Sequence, residues 1–265
     1  MNNIEHKTLL TLQNLDVFYK HQQILSKVNL SLKQGEILGI IGESGCGKST
    51  LLKSIIGILD KQNATIQGKI TYQDLDLLQI KSDNWSTIRG NKIGMIFQNA
   101  QDTLCPIRTI KDHFIETVQQ HHKISKQEIL QQTLILFDKL NLKNGQDILN
   151  SYPFELSGGM CQRVEIALSI ILKPALLLAD EPTSALDTIS QSQVIKELLL
   201  INQLFNTSII IVTHNINIVK KIAHNIAIIE QGHIIEYAPT SQIINSPKKS
   251  YTKKLLNSVL YLNRG

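Results

Sequence analysis

A chain of 265 residues that is 42% hydrophobic can bury a substantial core, as one large domain or two small ones, so disorder is excluded as the default reading. A net charge of +5 suits anionic partners such as nucleotides, lipid headgroups or nucleic acid, but is ordinary enough to select none of them. No apolar run approaches the roughly 20 residues of a membrane-spanning helix. The start Met1-Asn2-Asn3-Ile4-Glu5-His6-Lys7 lacks a signal-peptide core, and Cys46, Cys105 and Cys161 are too scattered for a disulfide framework or a metal cluster. The expectation is a cytoplasmic protein with free thiols.

The first segment alternates apolar residues at Leu10 and Leu12, then Leu15, Val17 and Tyr19, and later Val28, Leu30 and Leu32. That period of two predicts an N-terminal antiparallel sheet. Glu36 to Ile41 reads as a short buried strand, followed by a glycine-rich turn and a helix over Ser49 to Leu59, with Leu51, Leu52, Ile55 and Ile56 at helical spacing. From about Pro106 to Asn150 the pattern becomes helical. Ser125-Lys126-Gln127-Glu128 reads as a capping box, with Ile129, Leu130, Leu134 and Phe137 on one face. Apolar strands at Ala175 to Ala179, Ser208 to Val212 and Asn225 to Ile229 then alternate with helical stretches, the pattern of parallel strands with crossover helices. The fold class is therefore α/β, with a core split by a helical insertion and two packed subdomains; no internal repeat or low-complexity linker stands out.

Three segments carry chemistry. Gly42-Glu43-Ser44-Gly45-Cys46-Gly47-Lys48-Ser49 matches GxxxxGK[ST] between a predicted strand and a predicted helix, the context a phosphate loop requires. Its glycines let backbone N–H groups face a phosphate, Lys48 supplies positive charge, and the Ser49 hydroxyl reaches Mg²⁺. Leu176 to Ala179 is an apolar strand ending in Asp180-Glu181, where a parallel sheet presents its C-terminal edge. Asp180 suits Mg²⁺ and Glu181 suits a general base for phosphoryl transfer. Leu156-Ser157-Gly158-Gly159-Met160-Cys161-Gln162-Arg163 opens a helix to Leu172, whose free N–H groups suit a second anion.

In this order the three segments resemble an ABC transporter ATPase, a P-loop NTPase with a RecA-like core, an N-terminal antiparallel β subdomain and an inserted α-helical subdomain. The resemblance spans nearly the whole chain. It implies an ATPase domain over 1–245, with the helical subdomain at about 100–165 and a short tail over 246–265. It also implies that ATP is contacted by Tyr19, stacked on adenine, and by Gly42, Ser44, Gly45, Cys46, Gly47, Lys48, Ser49 and Thr50. Ser157, Gly158, Gly159, Gln162 and the D-loop Asp187 of Ser184-Ala185-Leu186-Asp187 complete the nucleotide contacts. Catalysis falls to Glu181, the switch histidine His214, Lys48 and the Q-loop Gln98, and Mg²⁺ to Ser49, Gln98 and Asp180.

The family mechanism pairs two such subunits head to tail, so that each ATP lies between the phosphate loop of one and Ser157-Gly158-Gly159 of the other. Implied partners are a second ATP-binding subunit (a paralogue or another copy), two transmembrane permease subunits and an extracytoplasmic substrate-binding protein. No nucleic acid is expected. The location implied is the cytoplasmic face of the cell membrane, as a peripheral subunit.

Within the family, Tyr152-Pro153 before the two glycines, Met160 after them, and Phe97-Gln98 with Leu104-Cys105-Pro106 resemble the nickel/peptide branch of importers. Ser246-Pro247 and Tyr251-Thr252-Lys253-Lys254-Leu255-Leu256 are similar to its C-terminal segment, with Lys249 and Ser250 replacing the usual His-Pro. Asn215 stands where the family has Asp, and Asn99-Ala100 where it has Asp-Pro; neither removes a catalytic group. Peptide-importing members extend further and carry iron–sulfur cysteines, whereas this sequence has no cysteine after Cys161, so the expectation is a subunit powering import of nickel or a nickel chelate. A di- or oligopeptide importer is the nearer alternative. A soluble ABC ATPase acting on nucleic acid or ribosomes, and a non-hydrolytic regulatory partner, are further ones. His121 and His122 read as a solvated loop pair, and the charge around Cys46 is expected to lower its thiol pKa.

Overall fold

The computed structural model describes residues 7–184 and 186–262, with the backbone alone over 258–262. The expectations placed on Met1 to His6, on Ala185 and on the last three residues lie outside the described residues. In chain order the first elements are β1 (Thr8–Tyr19), β2 (Gln22–Lys33), β3 (Ile37–Ile41), α1 (Lys48–Ile55), β4 (Ala64–Tyr72), β5 (Leu75–Asp76) and β6 (Ile93–Ile96). Then come α2 (Ala100–Thr103), α3 (Ile110–Gln119), α4 (Lys126–Lys139), α5 (Gly145–Asn150), α6 (Gly158–Ile170), β7 (Leu176–Asp180) and α7 (Thr188–Phe205). The last are β8 (Ser208–Thr213), α8 (Ile216–Ile222), β9 (Asn225–Glu230), β10 (His233–Pro239), α9 (Thr240–Asn245) and α10 (Ser250–Leu262). Two compact units result, one from the residues up to Ser82 together with those from Ser208 onward, the other over Asp83–Thr207. Both units mix strands and helices, as the expected α/β class requires.

In the first unit, β2, β1, β4 and β5 form an antiparallel sheet in that order. A register shift between Gln13 and Asp16, with Asn14 at φ 46°, places a bulge in β1. The bulge is why the apolar phase jumps from Leu10 and Leu12 to Leu15 and Val17: an extra residue turns the following side chains back to the buried face. Beside this sheet in sequence, β3 pairs in parallel with β8 and with β9, and β10 closes the edge antiparallel to β9. Every residue of β3 and β8 is buried, as expected of parallel strands covered on both faces.

The helix after the glycine-rich turn is shorter than its apolar spacing predicts, ending at Ile55 and not Leu59. Gly57 takes φ 68°, its N–H bonds Ser54 O at 3.3 Å and Ile58 N–H bonds Lys53 O at 3.0 Å, the pair of bonds that closes a Schellman motif. A left-handed glycine thus stops a helix that side-chain periodicity would continue.

In the second unit, β6 and β7 pair in parallel, and α3, α4 and α5 occupy the stretch from about Pro106 to Asn150 that reads as helical. Its core includes Phe114 and Phe137, both fully buried, with rings edge to face at 5.4 Å. Burying each such ring contributes roughly 1.5–3 kcal/mol. Two details differ from the sequence reading. Only half of the capping box forms: Ser125 Oγ accepts the Glu128 N–H at 3.2 Å, while the Glu128 carboxylate accepts from Gln132. The buried face of α4 is Ile129, Thr133, Leu136 and Phe137, with Leu130 and Leu134 half-buried, because the Thr133 hydroxyl satisfies itself on Ile129 O at 2.8 Å and so can go inside.

Candidate functional site

The first unit holds the glycine loop. Strand β3 ends at Ile41 between Thr213 of β8 and Ile228 of β9, so Gly42 emerges where three parallel strands present their C-terminal ends. Gly47 caps α1 with φ 105°, and a Cβ there would lie 2.6 Å from Leu25 Cδ2, so strain and packing both demand glycine. Lys48 is only 6% exposed, yet its ammonium is held: Nζ donates to Gly42 O and Glu43 O, each at 2.8 Å. Ser44 and Gly45 are exposed, and Cys46, Ser49 and Thr50 are half-buried around the helix start.

The Cys46 expectation is corrected. Its Sγ lies 3.9 Å from Lys48 Nζ, and that cation does pull the thiol pKa down, but burial pushes it up by more and the net displacement is upward.

His214 is exposed just past β8, the parallel neighbour of β3. Asn215 caps α8, its Oδ1 accepting the Asn217 N–H at 3.0 Å. Tyr19 is half-buried at the end of β1, opposite Gln22 and Ala64.

The second unit holds the carboxylates and the other helix start. Asp180 ends the fully buried β7 at 5% exposure, and Glu181 follows at 9% with φ 48°, a left-handed conformation rare for a residue with a side chain. Such strain concentrates at functional positions. Gln98 is exposed two residues beyond β6, the parallel neighbour of β7. Ser157 caps α6, its hydroxyl accepting the Met160 N–H at 3.3 Å, and Ser157 and Gly158 are exposed.

A Cβ on Gly159 would lie 2.7 Å from Ser190 Oγ, whereas one on Gly158 would meet nothing nearer than Gln101 at 3.9 Å. Ser190 Oγ in turn donates to Asp187, which caps α7 and whose pKa is held down by the Ser190 hydroxyl and N–H bonds. The start of α6 and Asp187 are thus neighbours, a juxtaposition invisible in their spacing. Helix α6 ends at Ile170, two residues before the expected Leu172.

Gln162 departs from the sequence reading. It is 4% exposed, and its amide donates to Glu165 Oε2 at 3.0 Å, so its side chain is buried and paired with a carboxylate one turn on.

That partner, Glu165, is the residue the sequence reading missed. Buried at 4% exposure, its Oε1 accepts the Phe97 N–H at 2.9 Å and the Thr103 hydroxyl at 3.2 Å, tying the Gln98 loop and α2 to α6. Burial raises its pKa to about 7 against the opposing hydrogen bonds from Phe97, Thr103 and Gln162. A signal was present: a carboxylate between Val164 and Ile166, in an otherwise apolar helical run, has to find buried donors. Beside it, Arg163 ties α6 to Glu197 of α7 and to the carbonyls of Leu140 and Asn141.

His121 and His122 have ring centroids 6.5 Å apart, His122 exposed and His121 against Gly90. Among the described residues no group of three or more His, Cys, Asp or Glu could hold a metal ion, and no helix is long and apolar enough to cross a membrane.

The ABC transporter family profile matches residues 25–184, more than half of the chain and inclusive of all three chemical segments. The chain belongs to the ABC transporter ATPase family. As a member, it binds ATP and is a transport subunit that hydrolyses it. Among its relatives, the metal-staphylopine import system ATP-binding protein CntD of Staphylococcus aureus is 38% identical over 97% of this chain and 95% of its own length. The oligopeptide transport ATP-binding protein OppD of Lactococcus lactis subsp. cremoris is 34% identical over 96% of this chain and 77% of its own. A dimeric post-hydrolysis structure of the ATP-binding cassette MJ0796 bound to ADP and Pi superposes with a TM-score of 0.77 at 30% identity, over 88% of this ABC ATPase and 99% of that chain.

Proposed function

We propose that this ABC ATPase powers import of nickel or a nickel chelate through separate membrane permease subunits, as a peripheral subunit on the cytoplasmic face. The observation that carries the nucleotide chemistry is the buried Lys48 ammonium, held in a glycine loop at the C-terminal ends of parallel strands and at the start of a helix. In this reading the loop from Gly42 to Thr50 wraps the triphosphate, Tyr19 stacks on the base, and Glu181 polarises the attacking water with His214 stabilising the reacting phosphate. Ser49, Gln98 and Asp180 offer only oxygen donors, the set Mg²⁺ prefers. Mg²⁺ would supply charge neutralisation at the phosphate oxygens.

Ser157, Gly158 and Gly159 then face the nucleotide held by a second ATP-binding subunit paired head to tail, with Asp187 beside them. ATP binds the closed pair better than the open one, and that difference in affinity is what does work on the permease. An extracytoplasmic binding protein delivers the cargo, which does not touch this chain.

Metal-chelate cargo is supported by the 38% identity to CntD, and peptide cargo, the second reading, by the 34% identity to OppD. Co-purification with the membrane subunits, followed by ATPase assays with nickel complexes and with short peptides, separates them. Stimulation by nickel complexes is expected; stimulation by peptides alone overturns the cargo, and a chain with no affinity for ATP overturns the whole reading.

A further inference from the structure

The C-terminal segment has no assigned task, yet one of its side chains reaches the glycine loop. Tyr251, in the first turn of α10, accepts the Glu43 N–H on its hydroxyl at 3.3 Å. The N–H of Glu43 and the carbonyl of Gly42 belong to one peptide unit, and in a planar trans peptide they point in opposite directions. That carbonyl accepts Lys48 Nζ at 2.8 Å. Tyr251 and Lys48 therefore grip the same peptide plane from opposite sides, and the tilt of that plane sets one of the two carbonyls that hold the ammonium, the other being Glu43 O at 2.8 Å.

The placement of Tyr251 is itself built. Glu236 of β10, 8% exposed, accepts Lys248 N–H at 2.8 Å, Lys249 N–H at 3.2 Å and the fully buried Thr252 hydroxyl at 2.6 Å. One carboxylate thereby satisfies two N–H groups leading into α10 and clamps the residue next to Tyr251. A second restraint comes from the β9–β10 turn, where Gly232 N–H donates to Cys46 O at 3.1 Å. The loop is thus buttressed twice by chain that follows β8.

We propose that Tyr251 is a positioning residue of the phosphate loop, its hydroxyl fixing the Gly42–Glu43 peptide so that Lys48 is preset for a triphosphate. The proposal rests on the ATP-binding role given to the loop above. Losing one neutral hydrogen bond of this kind weakens binding by about threefold to tenfold.

The test uses the full chain and Mg²⁺ with ATP as the probe. Tyr251→Phe keeps the ring and removes the hydroxyl; its dissociation constant and KM for ATP should rise threefold to tenfold with kcat within about twofold. Thr252→Val, which loosens the clamp without touching the loop, should move KM in the same direction by less. A variant that merely lost stability would instead lower the active fraction, and so kcat, at unchanged KM; that outcome, or unchanged ATP affinity in Tyr251→Phe, overturns the proposal. Amide hydrogen exchange of the unaltered chain supplies a reading that needs neither folding of a variant nor nucleotide. The Glu43 N–H should be protected, and an unprotected one overturns the inference. If the unaltered chain binds no ATP while Glu43 is protected, the ATP-binding reading has failed and the Tyr251 contact stands.

Discussion

Replacing Glu165 by glutamine tests the buried carboxyl that joins the Gln98 loop to α6. At about 1.4 kcal/mol per pH unit, the displacement of its pKa from 4.5 to about 7 amounts to about 3 kcal/mol. The folded-state pKa is raised, so between those two values the folded chain holds a proton the unfolded chain has lost. The corresponding stability is complete below pH 4.5 and disappears as pH rises through 7. Glutamine keeps an acceptor for Phe97 N–H and the Thr103 hydroxyl, and an amide flip of Gln162 offers its oxygen to the new NH₂ group. Glu165→Gln should therefore match the parent chain near pH 5 and exceed it by about 1–3 kcal/mol at pH 8.5, the weaker neutral hydrogen bonds taking back part of the gain. Urea unfolding of both chains across pH 5 to 8.5 reads this directly, and the difference between them cancels contributions from other groups such as Glu197. A parent chain whose stability runs parallel to that of Glu165→Gln over this range refutes the reasoning.

Glu181→Gln should retain ATP binding and lose turnover by about 10²-fold or more, checked by nucleotide binding alongside phosphate release; hydrolysis at the parent rate removes Glu181 from its role. Gly158→Ala should melt like the parent, since nothing in its own unit lies nearer than 3.9 Å, but lose ATPase activity. Gly159→Ala should be destabilised by roughly 1–3 kcal/mol through overpacking against Ser190; thermal melts of the two side by side decide, and equal melting contradicts the packing argument. Cys46 should alkylate more slowly than a free thiol at pH 8, because burial raises its pKa, with inactivation following labelling and ATP protecting; rapid labelling at neutral pH, or an alkylated chain with full activity, counts against this.

Much of the architecture could be read from residue patterns because the physics behind it is local. Alternation in β1 and β2, the continuous apolar runs of β3, β7, β8 and β9, and helical spacing after Pro106 each follow from which side of an element meets the core. The same holds for Gly42 to Ser49 and for Asp180-Glu181, where residue type and order specify the chemistry. Where the reading faltered, the deciding partner was elsewhere: Gly57 ended α1 through backbone conformation, and the Thr133 hydroxyl let a polar residue replace Leu134 on the buried face of α4.

The family, the phosphate loop and the carboxylate pair were determined by the order of residues along the chain, since a glycine loop before a helix and acids after an apolar strand do their work over a few adjacent positions. Only the tertiary structure decided that Gln162 turns inward to Glu165, that burial outweighs Lys48 at the Cys46 thiol, and that Tyr251 reaches Glu43 across 208 positions of sequence. Each of those depends on desolvation or on a hydrogen bond between distant segments, quantities that exist only once the chain has folded and excluded water.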